Sequence, residues 1–222
     1  MVRPNQDTGG ETAVEFVAAA IKARIRSGQF APGQRLVAND LMRSIGVSAG
    51  PIREALRKLT GEGIIEIQAH RGAIVRELSR RDIQEIYQAR EAIEGQIARL
   101  AAQRIEVGEN RSRFTAAMEE LRAAHRALDT ARYNDANQEF HDTIYAIGGN
   151  KRLIYLAEQL AVPIYTLRYH QLLKPSNIKS SVAEHEQIAD ALLDGDGDRA
   201  ERVMRMHVRN SGDLILQRLA AE

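Results

Sequence analysis

The stretch that decides the fold of the N-terminal part is Leu41–Ile67, which reads LMRSIGVSAGPIREALRKLTGEGIIEI. Two short helical patterns flank a tight break at Ile45–Ser48. Ser48 suits the N-cap of the second of these helices, and Pro51 falls in its first turn, where a missing N–H costs little. A helix, a sharp turn and a second helix with an exposed N-terminal face place one helix in the DNA major groove.

Upstream of this stretch the sequence predicts two further helices. Residues 1–10 are polar and are expected to form a flexible N-terminal arm. Apolar positions then recur at helical spacing over residues 12–27, which predicts the first helix. Asn39 or Asp40 is the expected start of the second helix, so the helix that follows Ser48 is the third.

A β-ribbon pattern follows the third helix. Residues 64–67 and 73–75 are mainly apolar and predict two short strands, joined by a turn over Gln68–Gly72. This ribbon would be the wing of a winged helix-turn-helix, and its tip carries His70 and Arg71.

Basic side chains lie largely off the apolar stripe of the third helix, where they are free to meet phosphates or base edges. Together with the wing tip they form a candidate DNA-binding surface. Its predicted members are Arg43, Ser48, Ala49, Gly50, Arg53, Arg57, His70, Arg71 and Gly72. Any three-helix unit with a hairpin shows these periodicities, so the pattern alone leaves a purely structural role open.

Charge is unevenly divided along the chain. Residues 1–76 hold 11 Lys and Arg against 7 Asp and Glu, whereas residues 77–222 hold 20 against 23. A basic N-terminal part joined to a mildly acidic remainder suits a DNA-binding module attached to a domain with another task.

Composition excludes several classes of protein. There is no cysteine, so disulfides, thiolate metal sites and cysteine nucleophiles are excluded. No apolar run approaches the roughly 18 residues that span a bilayer, and the polar N-terminus lacks the apolar core of a signal peptide. We therefore expect a soluble, cytoplasmic protein with no membrane partner.

The N-terminal pattern resembles that of a known family. The string L-x-x-x-I-G-V-S-x-x-P-I-R-E-A-L-R-x-L-x-x-E-G-I, followed by R-G-x-x-V, resembles the winged helix of the GntR family of bacterial transcription regulators over about residues 12–76. The resemblance implies a homodimer that binds a short palindromic operator through its recognition helices and wing tips.

One departure from that family concerns DNA reading. Its members usually carry Arg directly after the Ser of the V-S-x-x-P segment, where this chain has Ala49. A lost arginine contact is worth about 1–3 kcal/mol. Arg53 keeps its match, and Arg43 and Arg71 are candidates to compensate, so the operator sequence of relatives that carry the Arg does not transfer.

Almost everything after the short charged junction 78–82 has helical periodicity. Helices are predicted at about 83–100, 110–129, 131–147, 151–173, 178–194 and 197–219. The predicted fold is mainly α, with an N-terminal winged helix-turn-helix (11–77), a linker (78–82) and a C-terminal all-α helical bundle (83–222).

Histidine placement is the notable chemistry of this bundle. Asn137 and His141 lie four residues apart and hence on one face of a helix, while His185 and His207 lie on two other helices. If they converge, three imidazoles and an amide oxygen suit a divalent cation such as Zn or Ni and leave a position open for water or a ligand. Spacing alone does not bring them together, because a single helical histidine is more often a surface or core residue.

Four strings of the second part resemble the FCD domain of the FadR subfamily within GntR, over roughly residues 82–219. They are R-x-x-I-E (90–94), N-x-x-F-H-x-x-I-Y-x-x-G-G-N (137–150), E-H-x-x-I-x-x-A-L-L-x-G-D (184–196) and A-x-x-x-M-x-x-H (200–207). The resemblance implies that Asn137, His141, His185 and His207 bind a metal in the bundle centre. A neutral Asn in place of Asp implies somewhat weaker metal binding and less repulsion towards an anionic effector.

The effector implied by this resemblance is a small organic acid whose carboxylate reaches the metal. Arg90 matches the family's first-helix Arg and is expected to pair with that carboxylate. Tyr165 and Arg168 are assigned to the effector from their position. The alternative for Arg90 is a structural ion pair with Glu94, four residues further on.

The sequence thus predicts a metabolite-responsive DNA-binding transcription regulator, a repressor, and not an enzyme. Two other classes stay open at this point. One is an architectural DNA-binding dimer without effector or metal. The other is a metal-dependent hydrolase, since three histidines and an open site can activate water, although no well-matched general base is found beside the ligands.

Overall fold

The computed structural model describes residues 12–161 and 175–219. These residues form nine helices and one two-stranded sheet. They divide into two compact units, and the chain passes from the first to the second between Glu77 and Leu78. The predicted class, mainly α with a small wing, is confirmed.

The N-terminal unit is a winged helix-turn-helix. Its elements are α1 (Ala13–Arg26), α2 (Ala38–Ile45), α3 (Ala49–Gly61), β1 (Ile65–Gln68) and β2 (Gly72–Val75). The two strands pair antiparallel, with Ile65 opposite Val75 and Gln68 opposite Gly72, so β1 ends one residue later than predicted and β2 begins one residue earlier.

Capping residues in the sequence predict the start of one helix in this unit but not that of another. Ser48 occupies the N-cap of α3 as predicted, although its side chain makes no capping hydrogen bond. Helix α2 begins at Ala38, behind Val37, and not at Asn39 or Asp40. The usual preference for a polar N-cap therefore misplaces this start by one or two residues.

One apolar core joins the helices to the wing. The side chains of Ile21 in α1, Ile52 and Leu59 in α3, and Val75 in β2 are completely buried. Arg24 ties α1 to α2 by donating hydrogen bonds to the hydroxyl and the backbone carbonyl of Ser44. These contacts leave the outer face of α3 in solvent.

The C-terminal unit is all helical. Its elements are α4 (Arg80–Ala102), α5 (Asn110–Arg126), α6 (Thr130–Gly148), α7 (Lys151–Ala161), α8 (Pro175–Leu193) and α9 (Gly197–Leu219). Helix α4 starts three residues before the predicted 83, because Ser79 and Asp82 form a capping box at its N-terminus. The helix predicted over 151–173 is described only as far as Ala161.

Helix α4 is the scaffold on which the histidine-bearing helices pack. It contacts α6, α8 and α9. At Gly148 of α6 an added Cβ would lie 3.0 Å from Ile97 of α4, and at Gly212 of α9 it would lie 2.7 Å from the ring of Tyr87. Glycine thus permits the close approach of both helices to α4.

Among residues 12–161 and 175–219, no helix combines the length and the apolar composition that crossing a bilayer requires.

Candidate metal centre and DNA-binding surface

Three of the four predicted metal ligands converge in the C-terminal unit. His141 of α6, His185 of α8 and His207 of α9 each offer a ring nitrogen, and these three nitrogens lie within 4.8 Å of one another. The ring centroids of His185 and His207 are 4.6 Å apart, and those of His141 and His207 are 5.3 Å apart. Helices distant in sequence thus bring three imidazoles together.

Three of the histidine nitrogens are buried without a hydrogen-bond partner among the described residues. Among the described residues, neither ring nitrogen of His185 has a hydrogen-bond partner, and Nδ1 of His141 has none either. A buried, unpaired polar group costs about 1–3 kcal/mol. A cation bound between the three rings would accept the lone pairs of these nitrogens and offset that cost. These residues therefore suit a metal.

Two of the three imidazoles, those of His141 and His185, are held in the neutral form that binds metals. Burial, together with the neighbouring His207, lowers the pKa of His141 to about 3. Burial also lowers the pKa of His185 well below its ordinary value, with further contributions from His207 and His141. The ring of Phe140 packs against that of His185, with centroids 4.9 Å apart. At neutral pH no proton competes for the lone pairs of these two residues.

His207 differs from the other two histidines in having a partner. Its Nδ1 lies 2.7 Å from Oε2 of Glu184, and the amide of Asn210 donates a hydrogen bond of 2.7 Å to Oε1 of the same carboxylate. Sequence reasoning missed both Glu184 and Asn210. The adjacency of Glu184 to His185 was visible, but nothing in it indicated a contact with another helix.

Asn137 is the fourth predicted ligand. It is partly buried and lies one turn before His141 on α6. Its position on the same helical face as His141 is compatible with the predicted role, which stays a prediction.

The ion pair considered for Arg90 is present. Nε of Arg90 donates a 2.6 Å hydrogen bond to Oε1 of Glu94, whose carboxylate is completely buried. Burial alone would raise the pKa of Glu94, but the charge of Arg90 and hydrogen bonds from Tyr145 and Arg90 bring that pKa below its ordinary value. The carboxylate is therefore ionised and within electrostatic range of His141. Tyr165 and Arg168, also assigned to the effector, lie outside the described residues.

The predicted DNA-binding residues form an exposed set in the N-terminal unit. All of them are exposed except Ala49, which is partly buried: Arg43, Ser48, Gly50, Arg53, Arg57, His70, Arg71 and Gly72. Ser48, Ala49 and Gly50 stand at the N-terminus of α3, whose backbone N–H groups favour an anion such as phosphate.

Two of the surface arginines are held by carboxylates on their own helices. Arg43 pairs with Asp40 on α2, and Arg57 pairs with Glu54 on α3 at 2.7 Å. Arg53 has no ion-pair partner in the part of the chain that the structure describes. At the wing, Arg71 donates a 3.1 Å hydrogen bond to Gln68.

Comparison with known proteins assigns both units. Residues 13–75 match the model of the bacterial regulatory proteins of the gntR family, and residues 85–210 match the FCD domain. This chain belongs to the FadR subfamily of the GntR family.

Individual relatives of this GntR-family regulator agree with that assignment. It is 27% identical to the HTH-type transcriptional repressor RspR of Escherichia coli, over 84% of this chain and 82% of RspR. It is 25% identical to the repressor GlaR of the same organism, over 90% of this chain and 94% of GlaR. The solved structure of E. coli McbR/YncC shares its fold, with a TM-score of 0.81 and 21% identity over 95% of this chain and all of that one.

The chain is therefore a DNA-binding transcription regulator. The predicted GntR and FCD resemblances are both confirmed, and so is the prediction that the protein is not an enzyme, because regulators of this family are not enzymes. The hydrolase alternative is thereby set aside.

Proposed function

We propose that this regulator is a metabolite-responsive repressor whose FCD domain holds a divalent metal and a small organic acid. The observation that carries the proposal is the convergence of three histidines, His185 and His207 buried and His141 partly buried, whose ring nitrogens lie within 4.8 Å of one another. The proposed ligands are Asn137, His141, His185 and His207, and imidazole donors favour Zn or Ni. An octahedral or five-coordinate ion would keep positions open for an effector.

The neighbourhood of the histidines supports an anionic effector. When bound, the metal would supply positive charge for a carboxylate, because the three imidazoles and Asn137 bring no negative charge of their own. Arg90 lies next to this region and forms an ion pair with Glu94, with 2.6 Å between Nε of Arg90 and Oε1 of Glu94. An effector carboxylate that reaches Arg90 would share the guanidinium with Glu94, and Tyr165 and Arg168 are the other proposed contacts.

The exposed surface of the N-terminal unit supports the DNA-binding half of the proposal. We infer that two copies of the chain form a homodimer and place two α3 helices and two wings on a palindromic operator. Relatives named as repressors, RspR and GlaR, support repression as the direction of control. Effector binding would change the operator affinity only through a difference in affinity between two states, with a coupling of about 1–3 kcal/mol.

Elemental analysis of purified protein tests the metal centre. We expect about one equivalent of Zn or Ni per chain in the wild type and loss of that metal in His141→Ala. The matched control is His125→Ala on α5, which removes a partly buried histidine of the same unit outside the cluster. Equal metal content in His141→Ala and the wild type would refute the site.

A thermal-shift screen of small carboxylates tests the effector. Each acid is added to metal-loaded and to chelator-stripped protein, and a hit is an acid that raises the melting temperature only when metal is present. The same acid should release the protein from DNA that the wild type selects from a random pool. If no acid shifts the melting temperature and stripping changes nothing, the protein is instead an architectural DNA-binding dimer.

A further inference from the structure

We propose that Glu184 is a positioning residue of the metal centre, which fixes the tautomer of His207 and directs Nε2 of that ring at the other two histidines. This inference rests on the proposed metal binding and adds to it a carboxylate that is not itself a ligand. It follows from the contacts that join α8 to α9.

The first contact fixes the position of a proton. Nδ1 of His207 lies 2.7 Å from Oε2 of Glu184. A carboxylate offers only acceptor oxygens, so Nδ1 must carry the hydrogen, and the lone pair of the neutral ring is then on Nε2. Because His207 is only 6% exposed, water does not compete effectively for this hydrogen bond. Nε2 is thus the atom that His207 contributes to the cluster.

The second contact fixes the carboxylate itself. Asn210 stands three residues after His207 on α9 and donates a 2.7 Å hydrogen bond to Oε1 of Glu184. The two oxygens of one side chain therefore bind two positions on a single face of α9. The Glu184 side chain is only 20% exposed, so its orientation is set by these two bonds and by the surrounding protein.

The adjacent residues Glu184 and His185 on α8 therefore have different roles at the proposed metal centre. His185 supplies a ligand from α8, and Glu184 orients the ligand that α9 supplies. Carboxylates that accept from the distal nitrogen of a ligating histidine raise its basicity and hold its ring, and their loss typically weakens metal binding about 10–100-fold. His185 has no such partner among the described residues, since neither of its nitrogens is bonded.

Zinc affinity of the full-length protein, measured by competition with a chromophoric chelator, tests the assignment. We expect Glu184→Ala to weaken zinc binding by about 10–100-fold. Glu184→Gln keeps an acceptor oxygen for Nδ1, and the Asn210 amide can turn to accept from the new NH₂ group, so most of the affinity should return. The control is Glu186→Ala, two residues further on α8, whose carboxylate bonds Arg122 at 2.8 Å and not a histidine. It should bind zinc like the wild type.

The imidazole nitrogen NMR spectrum of the metal-free protein separates this role from general stabilisation. At mildly alkaline pH, His207 should be a single Nδ1–H tautomer in the wild type and in Glu184→Gln, and a mixture of tautomers in Glu184→Ala. Unchanged affinity and an unchanged tautomer in Glu184→Ala would overturn the assignment. Absence of zinc binding by the wild type would instead overturn the proposed function, and with it any role of Glu184 towards a metal.

Discussion

The two units present their functional groups in opposite ways. On the N-terminal unit the arginines of α2 and α3 lie in solvent, where a charge needs no protein partner. In the C-terminal unit, His141 and His185 have lowered pKa values and, within the described residues, buried ring nitrogens without a hydrogen-bond partner. An exposed charge costs folding nothing, whereas a buried unpaired nitrogen destabilises the fold. The candidate metal centre is therefore recognised by buried, unpaired nitrogens that destabilise the fold, whereas the candidate DNA-binding surface is recognised only by exposed charge.

The largest effect is expected for His185→Leu, which removes one of the buried imidazoles. The variant should lose metal by more than the 10–100-fold typical of changes outside the ligand set. In the metal-free state it should nonetheless be more stable than the wild type by about 1 kcal/mol, because the unpaired buried nitrogens are gone. Chelator competition measures the first effect and urea unfolding of metal-free protein measures the second.

The stability of the same variant should also depend on pH differently from that of the wild type. The pKa of folded His185 lies well below 6.5, its ordinary value, so only the unfolded wild type takes up this proton as the pH falls through 6.5. Wild-type stability should therefore decline below that pH more steeply than the stability of His185→Leu. His70→Leu, at the exposed wing tip, is the control for metal binding and should keep the metal. If metal-free His185→Leu were less stable than the wild type, the inference that the unpaired nitrogens of His185 destabilise the fold would be wrong.

The next largest effect is expected on the DNA surface. Arg53→Ala should weaken binding to selected DNA by about tenfold to a hundredfold without changing stability, since a base-edge arginine contact is worth about 1–3 kcal/mol and Arg53 has no ion pair among residues 12–161 and 175–219. Fluorescence anisotropy over a salt series measures the affinity. Arg113→Ala, an exposed arginine of α5, removes the same charge from the other unit and should leave the affinity unchanged. Wild-type affinity in Arg53→Ala would remove this residue from the DNA surface.

The smallest effect on DNA binding is expected when a surface arginine is released from its ion pair. Glu54→Gln releases Arg57 from its partner at 2.7 Å and removes a negative charge from the face of α3. Because exposed ion pairs contribute only about 0.2–1 kcal/mol, DNA binding should tighten by about two- to fivefold. Glu109→Gln makes the same charge change at an exposed position next to α5 and should have no effect. Weaker DNA binding by Glu54→Gln would indicate that this carboxylate itself contacts the DNA.

Much of the fold was predictable because strong local signals determined it. The periodicity of α1, the Ser48 break before α3 and the glycines around the wing placed those elements within a residue or two. The starts of α2 and α4 were misplaced for different reasons. Val37 caps α2 without a polar side chain, against the statistical preference, whereas the Ser79–Asp82 capping box was present in the sequence and was interpreted as a charged junction.

The candidate metal centre was predictable only as a set of residue types. Spacing showed that His141, His185 and His207 lie on three helices, and the family resemblance indicated that they meet. Nothing local showed the Glu184 side chain reaching from α8 to α9, because that contact depends on how the two helices pack. The sequence left two roles open for Arg90, an effector contact and an ion pair with Glu94. The ion pair became evident only from the structure.

The contact of Gly212 with Tyr87 limits how this regulator can vary during evolution. A methyl group at position 212 would meet an aromatic ring that is almost completely buried, so it would push α9 away from α4. The same movement would carry His207 out of line with its neighbours, although no ligand had been replaced. A genetic screen for variants that lose the proposed effector response should therefore recover alleles at this glycine as well as at the histidines.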